Sequence, residues 1–405
     1  TLVEEGPVYS DHKVMVQTVP APDAPPELAG YVGYDAVVLP ATALDELPES
    51  VRRALEAYAA TGGTLVLGRP GRAVRTHLPL LGDVAAGGEP YGFGFVELCQ
   101  GEGTCLRSPP PSRSVKVLPK GPLQLWRRRS SPIPQDALLP QATAPVGRFL
   151  AIIILFTLAI GPGSLVLARR KGPPVLLLTI PLTAAVTSLA IVGYALFKEG
   201  FAAHASTRGV TLLDTKNRRA ITLGVAAFYA NLSPGEARFS STTALLVPDS
   251  RESEVRFAAV DWTQGARFGA DFVPSRTYRE WGILSVEPSR ARLLVQADGG
   301  EAPLVKNALG SRIRRAKFRW NDELWGVEDL AEGAEGRAVP RGTQEASFWE
   351  LAGVHHRLTP SGVVLEEGLK EGEFLAHVDG PSLLPLGGVR IQPHDAEHLI
   401  RGEVE

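Results

Sequence analysis

The chain has 405 residues, with 42 Gly, 33 Pro, 2 Cys and 1 Met, and its 42 basic side chains nearly balance 44 acidic ones for a formal net charge of −2. That length allows two or three domains with a sizeable core in each, and 44% apolar with 21% charged residues excludes wholesale disorder. Two cysteines exclude a disulfide scaffold or a four-cysteine metal site, and the near-neutral balance gives no global attraction to nucleic acid.

The chain opens Thr1-Leu2-Val3 and Met15 is its only methionine, so a processed leader or a longer parent chain is expected; no charged-then-apolar leader is visible in the first thirty residues. Residues 1–125 read as an α/β region. Tyr34–Pro40 (YDAVVLP) is a short apolar run ending in a breaker, as a buried parallel strand should read. Pro48-Glu49-Ser50 opens a helix whose Val51, Leu55, Tyr58 and Ala59 share one face, and Gly62-Gly63 closes it. Thr64–Leu67 is the next strand, which completes a right-handed crossover unit.

The stretch GYDAVVLPATALDELPESVRRALEAYAATGGTLVLG resembles the class I glutamine-amidotransferase-like domains of bacterial membrane proteins, where strand, helix, Gly-Gly pair and strand follow in this order. Active members of that family carry a nucleophilic Cys on a sharp strand-to-helix turn. The turn here reads Leu67-Gly68-Arg69-Pro70-Gly71, with neither Cys nor Ser, so the resemblance implies a recognition or scaffolding module rather than an enzyme.

Tyr91–Leu98 reads as one strand entered through a turn, and its Gly-x-Gly lacks the following helix of a phosphate loop. Cys99 and Cys105 can close a small loop as a disulfide if this side is the periplasm, or stand as two free thiols. Residues 126–147 are a Pro-rich linker carrying Arg127-Arg128-Arg129, a solvated stretch or a contact for anionic head groups.

Residues 148–198 hold two uncharged runs, 149–168 and 174–197, each long enough to cross a hydrocarbon layer of about 30 Å as a helix. The alternative is a pair of buried core helices. Pro162, between two glycines, and Pro181 are expected to bend them. The connection 169–173 carries Arg169, Arg170 and Lys171, and that excess places it on the cytoplasmic side with both flanking regions outside.

From 205 to 405, short β-branched runs dominate: Gly209–Leu213, Ile221–Tyr229, Ala244–Val247, Val255–Val260, Ile283–Val286, Ala291–Gln296, Gly362–Leu365 and Phe374–Val378. Arg315–Trp320 and Leu324–Val327 flank an Asn321-Asp322 hairpin tip. This argues a β-sandwich, with length to spare for a second small β unit near the end. His394 and His398 would share a face on a helix and could hold zinc, although a polar surface turn is the simpler reading. His355-His356 reads as surface, and Arg312, Arg314, Arg315, Lys317 and Arg319 as a solvated strand face or a partner patch.

The segment RFLAIIILFTLAIGPGSLVLARRKGPPVLLLTIPLTAA, with Ile160-Gly161-Pro162 and Thr179-Ile180-Pro181, resembles the two-span hairpin of a group of bacterial membrane proteins in which an amidotransferase-like domain precedes the hairpin and a β-sandwich follows. Such proteins are similar to auxiliary subunits of ABC-type export systems. The expectation is therefore a multidomain membrane protein with an α/β parallel-sheet domain, a two-helix transmembrane hairpin and an all-β sandwich domain. The resemblance implies a non-catalytic accessory subunit of the bacterial inner membrane, without cofactor or metal, whose partners are permease-type helices, the lipid bilayer and periplasmic proteins rather than nucleic acid. An envelope-acting hydrolase and a motility or adhesion scaffold are the alternatives.

Overall fold

The computed structural model describes residues 3–5, 15–68, 74–81, 87–99, 122, 139, 146–199, 203–246, 260–263, 265–269, 272–298, 301–341 and 368–405. Expected features at Arg69–Gly71, Arg127–Arg129, His355-His356 and Gly362–Leu365, and most of Val255–Val260, lie outside the described residues.

Near the N-terminus β1 (Val3–Glu5) and β2 (Met15–Gln17) form an antiparallel ribbon. A four-stranded sheet follows, built from β3 (Val37–Pro40), β4 (Thr64–Gly68), β5 (Gly87–Tyr91) and β6 (Gly94–Cys99) in the order β3-β4-β6-β5. β3, β4 and β6 run parallel, as buried apolar strands joined by a crossover should. Between β3 and β4 lie α1 (Ala43–Glu46) and α2 (Glu49–Ala60); α3 (Val74–His77) follows β4. Pro48 precedes α2 where a missing N–H costs nothing, and Gly62, at φ +118°, accepts the left-handed turn that ends it. α2 buries Val51, Ala54, Leu55 and Tyr58, and the Tyr58 hydroxyl donates to the Tyr34 carbonyl at 3.0 Å.

The strand expected within 91–98, entered through a turn, is β6, and the strand before that turn, β5, pairs with it as a hairpin. Gly92 turns with φ +59°, and the Phe93 N–H donates to the Ala60 carbonyl at 2.8 Å, so the tip is anchored on the end of α2.

Helices α4 (Val146–Leu158), α5 (Ser164–Lys171) and α6 (Leu176–Glu199) lead into the β region. That region contains β7 (Ala203–Asp214), β8 (Arg219–Tyr229), β9 (Ala237–Phe239), β10 (Thr243–Leu246), β11 (Val260–Asp261), β12 (Ala266–Phe268) and β13 (Tyr278–Pro288). It continues with β14 (Arg292–Asp298), β15 (Glu301–Ala308), β16 (Ile313–Trp320), β17 (Glu323–Leu330), β18 (Glu335–Arg337), β19 (Val339–Pro340), β20 (Glu373–Asp379) and β21 (Ile391–Glu403). Nine of them make one sheet, ordered β10-β13-β8-β7-β21-β20-β16-β17-β19. Its pairs are antiparallel except β7 with β21, which run parallel. The β16–β17 hairpin turns on Asn321 and Asp322, both at positive φ, as its tip sequence requires.

Side-chain alternation sends the two faces of this sheet to different cores. Val210, Leu223, Val225, Leu284, Leu375 and Leu399 join one apolar cluster with Leu28, Leu44, Leu55 and Leu67 of the α/β region. The opposite face packs on two three-stranded sheets: Phe374, Ala376 and Ile400 meet β14-β15-β18, while Ala226, Phe228 and Ile283 meet β11-β12-β9. Strands β20 and β21 belong to the main sheet and form no separate unit.

A buried polar clamp ties the α/β region to the sheet. Glu56 on α2 accepts from Arg219 of β8 at 2.6 Å and from the Tyr91 hydroxyl at 2.7 Å; Arg219 also donates to Asp214 at 2.8 Å. Burial, reinforced by the Glu56 charge, holds the Tyr91 phenol above its usual range, so it remains a neutral donor. Leu28 N–H adds a bond to the Ser241 carbonyl at 2.7 Å. Removing one member of a buried pair strands the other, so Arg219→Met is expected to destabilise the detergent-solubilised full chain by about 3–5 kcal/mol in urea unfolding. A loss below about 1 kcal/mol, the range of exposed pairs, would mean that water reaches the clamp.

Candidate functional site

Most of the exposed large apolar side chains among the described residues lie on the helical segment. α4 and α5 are joined by a π-helical turn, Ala159–Gly163, that absorbs Pro162, and Leu150–Lys171 is one helix long and apolar enough to cross a membrane by length and composition. α6, 24 residues long, contacts both α4 and α5; within it the apolar stretch among the described residues is Leu176–Ile191. These helices are not core helices of a soluble body: Leu155 is 69% exposed, Leu177 82% and Leu189 72%. Thr157, Thr183 and Thr187 donate their hydroxyls to the carbonyls of Ile153, Thr179 and Thr183, and Ser164 does the same to Ile160, so these groups need no water. Arg169, Arg170 and Lys171 stand exposed in the last turn of α5, where the helix dipole favours cations.

The topology constrains where the segment begins and ends. The α/β region precedes α4, β7 starts shortly after α6, and both share one apolar core.

Sequence-selected site residues fall in three places. Cys99, at the end of β6, is disulfide-bonded, and Cys105 lies outside the described residues. His394 and His398 lie on strand β21, neither on a helix nor in a surface turn, and they are not brought together. His398 is buried and its Nε2 lies 2.6 Å from Thr211 Oγ1, which in turn pairs with Thr222 Oγ1 at 2.7 Å. Gly209 makes the space: a Cβ there would come within 2.5 Å of His398 Nδ1. His394 is exposed at a register shift between Pro393 and Asp395, with its Nε2 2.7 Å from His204 Nδ1. Among the described residues no group of three or more His, Cys, Asp or Glu could hold a metal ion.

The basic cluster on β16 is largely paired. Arg312 meets Asp329, Arg314 meets Asp379 and, at 3.5 Å, Glu397, and Arg319 donates to the Leu369 carbonyl at 2.9 Å. Arg208 continues the row to Asp395 at 2.5 Å and Glu397 at 3.5 Å. His377 of β20, which no sequence pattern marks, is buried beside this row with no hydrogen-bond partner for Nε2 among the described residues; burial lowers its pKa against the opposing pull of Glu397. Thr211 with His398 has the atoms of a nucleophile–base pair, but both are closed to solvent and a substrate has no access.

A scan of protein-family models and a search of curated proteins each find no match to the chain. Among solved structures, the yeast delta-COP-I mu-homology domain complexed with a Dsl1 WxWxV peptide is similar over 50% of this chain and 96% of that chain, at 8% identity and a TM-score of 0.19. A likeness that low carries no argument about fold or function.

Burial holds the His398 imidazole down to about 3, against about 6.5 when unfolded. The folded state therefore stays unprotonated while the unfolded state takes up a proton below pH ~6.5, so stability is full above that value and is lost as pH falls toward 3. For His398 alone the loss at pH 5 is about 2 kcal/mol. Urea unfolding at pH 8 and pH 5 should show a smaller acid loss in His398→Gln than in the parent; equal losses would refute the assignment.

Proposed function

We propose that the chain is a non-catalytic accessory subunit of a bacterial inner-membrane complex of the ABC-transporter type, anchored by a transmembrane hairpin of α4–α5 and α6. The observation that carries this reading is a pair of helical stretches, 149–168 and 174–197, without a charged residue and with large aliphatic side chains exposed along them. A shared apolar core between the chain regions on either side of the helices supports one compartment for both. The basic turn at Arg169–Lys171 favours the cytoplasm for the far end of the hairpin, which supports a periplasmic body. A disulfide-bonded Cys99 agrees with an oxidising compartment.

Within that body the α/β region takes the part of a class I glutamine-amidotransferase-like domain without its nucleophile. The parallel β3-β4-β6 core with its α2 crossover supports this, as does the absence of Cys and Ser from the turn after β4. Its partners would be permease-type helices packed on the exposed faces of α4–α6, with periplasmic proteins on the body.

Two measurements test the proposal. In intact cells a membrane-impermeant maleimide should label Asn217→Cys and leave Lys171→Cys unlabelled until the membrane is opened; the reverse pattern would invert the topology. Mild-detergent purification should carry a permease and an ATPase with the chain, and a chain that migrates alone would remove the accessory role.

A further inference from the structure

We propose that His204 and His394 form a two-imidazole site for a transition-metal ion such as zinc or copper, which staples β7 to β21 at the end of the sheet nearest the helices. The ring nitrogens, His204 Nδ1 and His394 Nε2, already stand 2.7 Å apart with ring centroids at 4.7 Å. At that distance the two rings share one hydrogen bond, and a metal ion is another partner that can bridge two imidazole nitrogens.

The backbone builds the pair. Pro393 opposes Ala205 and Asp395 opposes Ser206, so His394 is the extra residue of a bulge in the β7–β21 ladder. A bulge re-aims a side chain that regular pairing would place elsewhere. Without it the alternation of β21 would keep His394 in step with Ala396 and His398, on the face that buries His398.

Zinc–nitrogen bonds of about 2.0–2.1 Å put two tetrahedral ligands about 3.3 Å apart, so the rings must part by roughly 0.6 Å. His394 is exposed and can move that far. Asp395 is engaged by Arg208 at 2.5 Å, and no third His, Cys, Asp or Glu completes a ligand group among the described residues. Water fills the remaining positions, and the site is open rather than closed.

The location gives the staple its effect. β7 is the first strand after α6, and β21 is the last strand of the chain; they meet in the one parallel pairing of the nine-stranded sheet. That pairing joins residues roughly 190 positions apart, where closure entropy works against the contact. An ion bound only in the folded state stabilises it by mass action. Among the described residues the two ligands come from β7 and β21.

The test uses the full chain in detergent, stripped of metal with a chelator and titrated with Zn2+ and, separately, Cu2+. The expected results are saturable uptake of one ion per chain, an upward shift of the unfolding temperature, and a Cu2+ electron paramagnetic resonance spectrum with hyperfine structure from two nitrogens. His394→Gln and His204→Gln should each abolish the uptake and the thermal shift, whereas His77→Gln, at a histidine paired with Asp45, should keep both. No saturable uptake in the parent chain, or uptake that survives His394→Gln, would overturn the proposal.

Discussion

The architecture depends on one apolar core that crosses between chain segments separated by the helices. Leu28, Leu44, Leu55 and Leu67 lie in the same cluster as Val210, Leu223, Leu284 and Leu399, and the Glu56–Arg219 pair pins the contact at its polar edge. Apolar packing alone is non-directional and would tolerate sliding. A buried charge pair with a phenol donor does not, because any displacement leaves an ion unsolvated. The clamp therefore sets the register of α2 on the sheet, and the sheet fixes where β7 begins.

The same arrangement explains the composition of the central strands. A sheet with one wet face alternates apolar and polar residues, whereas β8 reads Ala-Ile-Thr-Leu-Gly-Val-Ala-Ala-Phe because both of its faces are covered. Ile221, Leu223 and Val225 face the α/β region, while Ala220, Ala226 and Phe228 face the flanking three-stranded sheets. The polar residues in these layers are small hydroxyls such as Thr211 and Thr222, which bond one another across the β7–β8 pair. Gly209 differs from its neighbours in giving up a side chain altogether, and His398 occupies the volume it leaves.

Much of this was legible in the residues, and the failures have physical causes. The β3–α2–β4 unit was readable because its signals are local: a breaker, a helical face, a Gly-Gly stop. The Asn321-Asp322 hairpin was readable for the same reason. β21 was not, since Gln392 to His398 contains a proline and a run of polar residues that reads as a surface turn. Those residues are in a strand because β7, nearly 190 residues away, supplies both the ladder and the charges: Arg208 meets Asp395 and Glu397, and Thr211 receives His398. The turn at Gly92 and the strand after it were readable, but β5 before it was not, because Gly87-Gly88-Glu89-Pro90 carries no strand pattern. His377 lies in the expected strand Phe374–Val378, but nothing in that run marked it as a buried imidazole, for its surroundings come from β20's neighbours.

The exposed large apolar residues among the described residues fall into two patterns. On the β region, large exposed apolar side chains are scattered, as at Leu232, Trp262 and Val339, which is ordinary for a surface facing water. On α4–α6 they are continuous, running through Leu150, Ile153, Ile154, Leu155 and Leu158 and again through Leu177, Leu178, Leu182, Val186 and Leu189. Exposing such a surface to water costs roughly 25 cal/mol per Å2. Several of the segment's hydroxyls turn back onto its own carbonyls, and its charges gather at the turn, so little of it asks for water. A bilayer satisfies all of these features at once. Two helices that touch only along one line leave most of their circumference uncovered by this chain, and under the proposed membrane anchoring that circumference is left to lipid or to other helices.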